Sequence, residues 1–312
     1  MRFRFHFMAR RRLFMGISAF LLLVTIVSLA TRGLNFGIDF RGGVTMQILT
    51  PQPETEAAIR GVLQAQGQGT AQIQELNNNP RSWQFQTLPI PDSAATAIFD
   101  AMQAKFGSAT ALESQNTVEP IIGNELRVRA VLAIVIATVL MTAYLAMRFQ
   151  IGDMGGRSGL NFALGAVIAL LHDITLTVGL FSVFHIQVNS PFVAAVLTVY
   201  GYSMNDTIIV FDRIRERLRA HPRESLQDLI DVSLNQVLNR TITTVSTVIL
   251  ALVAVIVLGG GGDMRSLAVA LLVGVSFGTY SSIFIASPVF LWLSSRGGSG
   301  RRVAQPARAA RA

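Results

Sequence analysis

The chain has 312 residues, 51% of them hydrophobic and 14% charged, with 26 basic against 18 acidic side chains and a net charge of +8. So apolar a composition excludes an ordinary soluble domain and points to a membrane protein. The absence of cysteine excludes disulfides, thiolate metal sites and thiol redox chemistry, so packing must hold the fold.

Residues 1–12 carry Arg2, Arg4 and Arg10 to Arg12 and precede an apolar run at 13–30, the first predicted transmembrane helix. The run ends Ser28-Leu29-Ala30, which resembles a signal peptide. Its removal would leave five spans and move the amino terminus outside, so the segment is read as retained.

Residues 31–129 change character, Gln, Asn, Pro and Glu replacing the aliphatic runs, and form a soluble domain. Val44, Met46 and Ile48 alternate with polar residues as a strand does, and Ala58, Ile59, Val62 and Leu63 follow helical spacing. Two strands, 71–76 and 82–88, flank the turn-forming Asn77-Asn78-Asn79-Pro80. Asp92-Ser93 can cap a helix ended by Gly107, and 109–118 is the last strand. The order strand, helix, strand, strand, helix, strand is that of a ferredoxin-like α+β sandwich.

Five further apolar runs follow at 130–147, 160–184, 192–211, 241–258 and 267–293. Runs of this length satisfy their backbone in lipid only as helices, giving a six-helix bundle. Basic residues gather at 2–12, at Arg148 and Arg157, at 213–240 and at 296–311, which are alternate connections. This positive-inside pattern places both termini in the cytoplasm and the soluble domain outside. The basic balance therefore reports topology and not nucleic-acid binding.

Among the connections, the loop 259–266 holds four consecutive glycines but lacks the Lys-Ser or Lys-Thr of a phosphate loop, and reads as a flexible turn. In 212–240, Ser225-Leu226-Gln227-Asp228 is a capping box leading a stripe of Leu226, Leu229, Ile230, Val237 and Leu238. The expectation is an amphipathic helix on the membrane surface or on the bundle. Residues 294–312 are read as a disordered basic tail touching anionic lipid or an acidic partner.

Ionisable side chains inside a span are costly and mark functional sites by default. His172 and Asp173 fall near the middle of the third predicted span, and Asn205 and Asp206 in the inner half of the fourth. Helical spacing puts Tyr202, Ser203 and Asp206 on one face, with Gly201 beside them allowing a neighbour to approach. A carboxyl in a low-dielectric interior can exchange a proton near neutral pH, and a nearby arginine opposes protonation. Asp206 is thus a proton-carrier candidate, with Arg240 at the start of the fifth span as counter-charge. The same pair reads equally well as a structural ion pair between helices. Thr241, Thr243, Thr244, Ser246 and Thr247 could bond across helices or hold water. Adjacent residues diverge on a helix, so His172 is assigned to interhelical hydrogen bonding, while Asp173 keeps a possible functional role. Gly274, Gly278 and Ser282 form a small-residue ladder suited to close helix packing. No nucleophile, metal or phosphate constellation is present, so the chain is not read as an enzyme.

Several segments resemble one family. Gly37-Ile38-Asp39-Phe40-Arg41-Gly42-Gly43 and Ile122-Gly123-Asn124-Glu125-Leu126 are similar to segments of the bacterial SecD/SecF family, and YGYSMNDTIIVFDRIR at 200–215, LNQVLNRTITT at 234–244 and GTYSSIFIASP at 278–288 to its SecF branch. Glu119 departs from the glycine expected before Pro120. The resemblance implies half of a twelve-helix resistance-nodulation-division unit in the inner membrane, paired with a SecD-type half beside the SecYEG channel, with YajC and YidC type accessory subunits. It implies use of the proton gradient to draw preproteins outward after SecA-driven transfer, with protons as coupling ion and no cofactor. Asp206 and Arg240 match the family's proton-site pair; Asp173 is read as proton-coupling with them, and Asn205, Tyr202, Ser203 and Thr244 as supporting residues. Gly37, Asp39, Phe40, Gly42 and Gly43 form the junction between first span and outer domain. A proton-coupled small-molecule exporter half and an assembly scaffold are the alternatives.

Overall fold

A computed structural model describes residues 5–76, 78–150, 155–258 and 261–296, without the side chains of 149, 150, 155–158 and 296. Arg2, Arg4, Asn77, the Arg157 side chain, Gly259, Gly260 and the tail 297–312 lie outside the described residues.

A short 3-10 turn, Met8–Arg10, leads into α1 (Arg11–Thr31). Then come β1 (Asn35–Phe36), the single-turn α2 (Ile38–Arg41), β2 (Gly43–Leu49), α3 (Glu56–Ala65), β3 (Gln72–Glu75), β4 (Ser82–Thr87), α4 (Asp92–Phe106) and β5 (Ala111–Val118). The remainder is α5 (Pro120–Gln150), α6 (Gly155–Val183), β6 (Gln187–Val188), α7 (Ser190–Ala220), α8 (Leu226–Leu258) and α9 (Gly262–Ser281). A π-helical turn, Ser282–Ala286, joins α9 to α10 (Ser287–Arg296) in one continuous span. Six helical segments are long and apolar enough to cross a membrane.

The outer domain is a four-stranded antiparallel sheet in the order β3-β4-β2-β5, the ferredoxin-like arrangement. Alternation sends Val44, Met46 and Ile48 of β2 with Trp83 and Phe85 of β4 to one face, where Ile59, Val62 and Leu63 of α3 and Ala95, Ile98 and Met102 of α4 complete a core. Thr55 caps α3 by accepting the Ala58 N–H. The expected Asp92-Ser93 cap is absent: α4 starts at Asp92 and its N-cap is Pro91, whose extended backbone already directs the entry.

The opposite sheet face is polar and lies over the end of the bundle. Thr45, Gln47, Gln84, Gln86, Ser114 and Asn116 share with Gln187, Asn189 and Asp263 a cavity of about 360 Å3. Contact between the layers is close, since a Cβ on Gly261 would sit 2.7 Å from Gln74 Nε2.

A separate core fills the bundle, centred on Phe162, Ala166, Ala169 and Leu170 of α6, Val196 and Tyr200 of α7, and Ala270 of α9. Two differences from the predicted elements have physical causes. The connection 185–191 between the third and fourth predicted spans holds a strand that its sequence did not signal: β6 pairs in parallel with β1 through Asn35–Gln187 and Phe36–Val188. The amphipathic segment of 212–240 takes the second of its two expected places, on the bundle, but as no separate helix: α7 runs on to Ala220, and α8 continues unbroken from Leu226 into the fifth span. At 33 residues α8 is about 50 Å long, so its first turns project beyond the roughly 30 Å hydrocarbon layer. There Leu229, Ile230 and Leu234 are buried against the bundle, and Asp231 accepts the Met8 N–H at 2.9 Å. The amino-terminal segment is thereby tied to α8, where Asn235 also exchanges hydrogen bonds with the Phe5 backbone.

Candidate functional site

The polar centre lies where α6, α7 and α9 cross. Gly274 and Gly278 make the crossing possible, since a Cβ on Gly274 would stand 2.3 Å from Val199 Cγ2 and one on Gly278 2.8 Å from Ser203 Cβ. The predicted ladder is the α9 side of this seam. Val199, Ser203 and Thr207 form the matching α7 row, closed by a 2.8 Å hydroxyl pair between Thr207 and Ser282.

Asp173 sits in the seam with no exposed surface. Its Oδ2 accepts the Ser203 hydroxyl from α7 at 2.6 Å and the Ser281 hydroxyl from α9 at 2.7 Å. Its Oδ1 lies 2.9 Å from His172 Nδ1. The assignment of His172 to interhelical hydrogen bonding is corrected: the imidazole folds back onto its neighbour, its Nε2 is buried without a partner, and its contacts to α9 are with the Tyr280 and Phe277 rings. The 100° step between adjacent helical residues does not prevent a long side chain from bending to the preceding or following one.

Asp206 lies one turn beyond Ser203 and is 5% exposed. The Thr279 hydroxyl on the facing α9 lies toward the carboxylate, but neither it nor Asp206 Oδ2 completes a hydrogen bond of ordinary geometry. Arg240 acts on it electrostatically but lies beyond 4.0 Å and is exposed, so the expected ion pair is absent. Of the supporting residues, Ser203 is at the centre. Tyr202, one turn before Asp206 on α7 and within electrostatic reach of it, turns its hydroxyl toward α8, 3.5 Å from the Thr244 carbonyl oxygen. Asn205, Gly201 and Thr244 are exposed, and a methyl group placed on Gly201 would meet no atom within 4 Å, so this glycine does not admit a neighbour within the chain. The hydroxyls of Thr243, Thr244 and Thr247 bond back to carbonyls of their own helix, leaving the buried Thr241 Oγ1 unpartnered.

Ser281 is the central residue that sequence reasoning missed as an individual. It lies three residues after Gly278, on the ladder side of α9, which was the available signal. Among the described residues no group of three or more His, Asp or Glu side chains is placed to hold a metal ion.

The junction residues connect this centre to the outer domain. Gly42 and Gly43 have φ of +77° and +146°, and side chains there would strike Pro120 and the Thr87 carbonyl. Gly37 donates its N–H to Val188 O at 2.7 Å, and Phe40 is buried in the bundle core. Asp39 Oδ2 accepts the N–H of Ser190, the first residue of α7, at 2.7 Å. Asn189, the α7 N-cap, accepts the Phe192 N–H and donates through Nδ2 to Asp263 in the first turn of α9. The outer ends of the two helices that carry Ser203, Asp206 and Ser281 are therefore clasped at the domain junction.

Six candidate spans, a ferredoxin-like domain seated on one end and a buried two-carboxylate centre define a multi-pass membrane protein. Residues 98–296 match the model of the protein export membrane protein SecD/SecF C-terminal family, and residues 27–52 match the SecD/SecF GG motif. The chain belongs to the SecD/SecF family. It is 39% identical over 308 residues to the protein translocase subunit SecF of Desulfurispirillum indicum, covering 95% of each chain. It is also 39% identical over 306 residues to that of Magnetococcus marinus, covering 96% of this chain and 94% of the relative. The crystal structure of a Thermus SecDF, described as a translocon-associated membrane protein, superposes with a TM-score of 0.82 at 31% identity over 94% of this chain. That of SecDF in a super-membrane-facing form superposes with a TM-score of 0.69 at 30% identity over 95%. The chain spans 39% of the length of each of these SecDF chains.

Proposed function

We propose that the chain is the SecF-type half of a Sec translocase accessory unit, set in the bacterial inner membrane with both termini cytoplasmic and the α+β domain in the periplasm. It pairs with a SecD-type half and uses proton movement to promote preprotein translocation after SecA-driven transfer, beside SecYEG and YajC and YidC type subunits. Protons are the coupling ion, no cofactor is needed, and no covalent reaction is catalysed.

The observation that carries this reading is the buried Asp206 carboxylate, whose Oδ2 completes no hydrogen bond of ordinary geometry although Thr279 faces the group, one turn from the fully bonded Asp173. An open acceptor in a dry interior is satisfied by a proton or by water, whereas a purely structural carboxylate is expected to have its donors in place. Pairing is supported by a polar strip on the bundle exterior, with Thr198, Gly201 and Asn205 of α7 beside Thr243, Thr244 and Thr247 of α8, all exposed. Such residues suit a second helical bundle better than lipid tails. Arg240 acts on Asp206 through space and approaches it in another conformer of the cycle. A coupling ion does work only if the two conformers bind it differently.

Gradient-dependent export of a preprotein into inverted membrane vesicles tests the proposal. Asp206→Asn and Asp206→Ala should both abolish the gradient-dependent increment while the SecD-type half still co-isolates. Full export with Asp206→Asn would overturn the carrier role, and loss of co-isolation with both variants would favour a scaffold.

A further inference from the structure

We propose that the end of α7 and the end of α5 form a binding site for the phosphodiester headgroup of an anionic membrane lipid. The last turns of α7 hold Arg213, Arg215, Arg217 and Arg219. Two of the four are already compensated: Arg213 pairs with Glu216 at 2.5 Å, and Arg217 with Glu224 at 2.8 Å. Arg215 and Arg219 have no ion pair among the described residues, and their spacing of four puts them on one helix face with Asp212 and Glu216.

That face opens on a cavity of about 530 Å3 lined by Arg148, Asp212, Arg215, Glu216, Arg219 and Ala220. Arg148 reaches it from α5 and is fixed by Asp212 at 2.8 Å. Both carboxylates of the cavity are thus engaged, Asp212 by Arg148 and Glu216 by Arg213, which leaves the positive charge of Arg215 and Arg219 without a counter-ion. Two guanidinium groups one turn apart match a phosphodiester, which accepts paired N–H donors.

The surface below the cavity selects a lipid over a soluble phosphate. Leu140, Tyr144 and Met147 lie within two turns before Arg148 and are 63%, 47% and 56% exposed. An apolar strip ending at a basic recess has the division of an acyl chain and its headgroup, and basic pockets at the cytoplasmic ends of spans bind anionic headgroups in this way. The arginine-rich tail of the chain carries the same sign of charge and cannot fill the recess.

The test uses the full chain with its co-isolating half, delipidated in detergent and titrated with dioleoyl phosphatidylglycerol, dioleoyl phosphatidylcholine or inorganic phosphate, with bound adducts read by native mass spectrometry. Phosphatidylglycerol should be retained over phosphatidylcholine. R215Q/R219Q should weaken the former about thirtyfold, roughly fivefold per arginine, leave the latter unchanged, and be partly rescued by R215K/R219K. If the double variant aggregates, Arg219→Gln alone, on an exposed side chain, should give the fivefold loss. Unchanged phosphatidylglycerol binding in a folded variant overturns the site. Displacement of the lipid by equimolar inorganic phosphate, or its exclusion by an acidic segment of the partner half that requires the same arginines, overturns the lipid assignment.

Discussion

Asp173 binds three helices together through one carboxylate, with His172 from its own helix, Ser203 from α7 and Ser281 from α9 as the groups around it. Asp173→Ala would leave the buried Ser203 hydroxyl without its acceptor, at about 1–3 kcal/mol, while Ser281 keeps the Gly278 carbonyl at 3.1 Å. Thermal unfolding in detergent should show that loss, and Asp173→Asn, which keeps one acceptor oxygen, should recover part of it. Gly278→Val should separate α7 from α9, because even the first carbon would overlap Ser203. Reduced thermal stability and broadened oligomer profiles would register it, and an unchanged melt would contradict the close crossing. At this scale the sequence disclosed both acids, since any carboxyl inside an apolar run is conspicuous. It did not disclose that Ser281 faces Asp173 or that Arg240 stands apart from Asp206, because helical spacing fixes which residues share a face and leaves open which neighbour that face meets.

The elements extend beyond their apolar runs wherever polar residues still favour a helix. Hydropathy marked 130–147 and 192–211, whereas α5 and α7 run over Pro120–Gln150 and Ser190–Ala220, since Arg, Glu and Gln are good helix formers outside the bilayer. The same continuity makes α8 a rigid rod from the contact with Met8 into the fifth span. Val237→Pro should therefore disrupt α8 by about 3 kcal/mol or more, loosening the amino-terminal segment as well. Increased proteolysis near Phe7 would detect this, and unaltered protection there would show that the two halves of α8 act separately. At the opposite end Asp39 holds the α7 amino terminus. Asp39→Ala should accelerate hydrogen exchange of the Ser190 amide and cost about 1 kcal/mol, the typical value of a lost helix cap. The glycine-rich turn was legible as a junction from its composition, but the β1–β6 ladder was not, because two-residue strands leave no periodic signal.

Across the whole molecule the two hydrophobic cores do not merge. One is enclosed by β2, β4, α3 and α4, the other by the spans, and between them lies the polar sheet face with its glutamine-lined cavity. Phe85→Ala should therefore destabilise the outer domain by about 3–5 kcal/mol while the bundle keeps its own melting transition, as calorimetry combined with limited proteolysis would reveal. A single merged transition would show that the layers unfold together. The ferredoxin-like order was readable because each strand and helix has its own period. The seating of the domain was not, since a polar face apposed to a polar loop reads in sequence like one apposed to solvent.

The π-helical turn at Ser282–Ala286 lets one span answer to two neighbours. Before it, Gly274 and Gly278 meet α7; after it, Phe290 stacks on Phe162 of α6 at 4.0 Å, and the Ala286 carbonyl approaches Gly165. The wider turn resets the rotational phase of the helix between those two seams. Removing a single residue there would swing Phe290 by about 100°, so the span could keep its grip on α7 or on α6 but not on both.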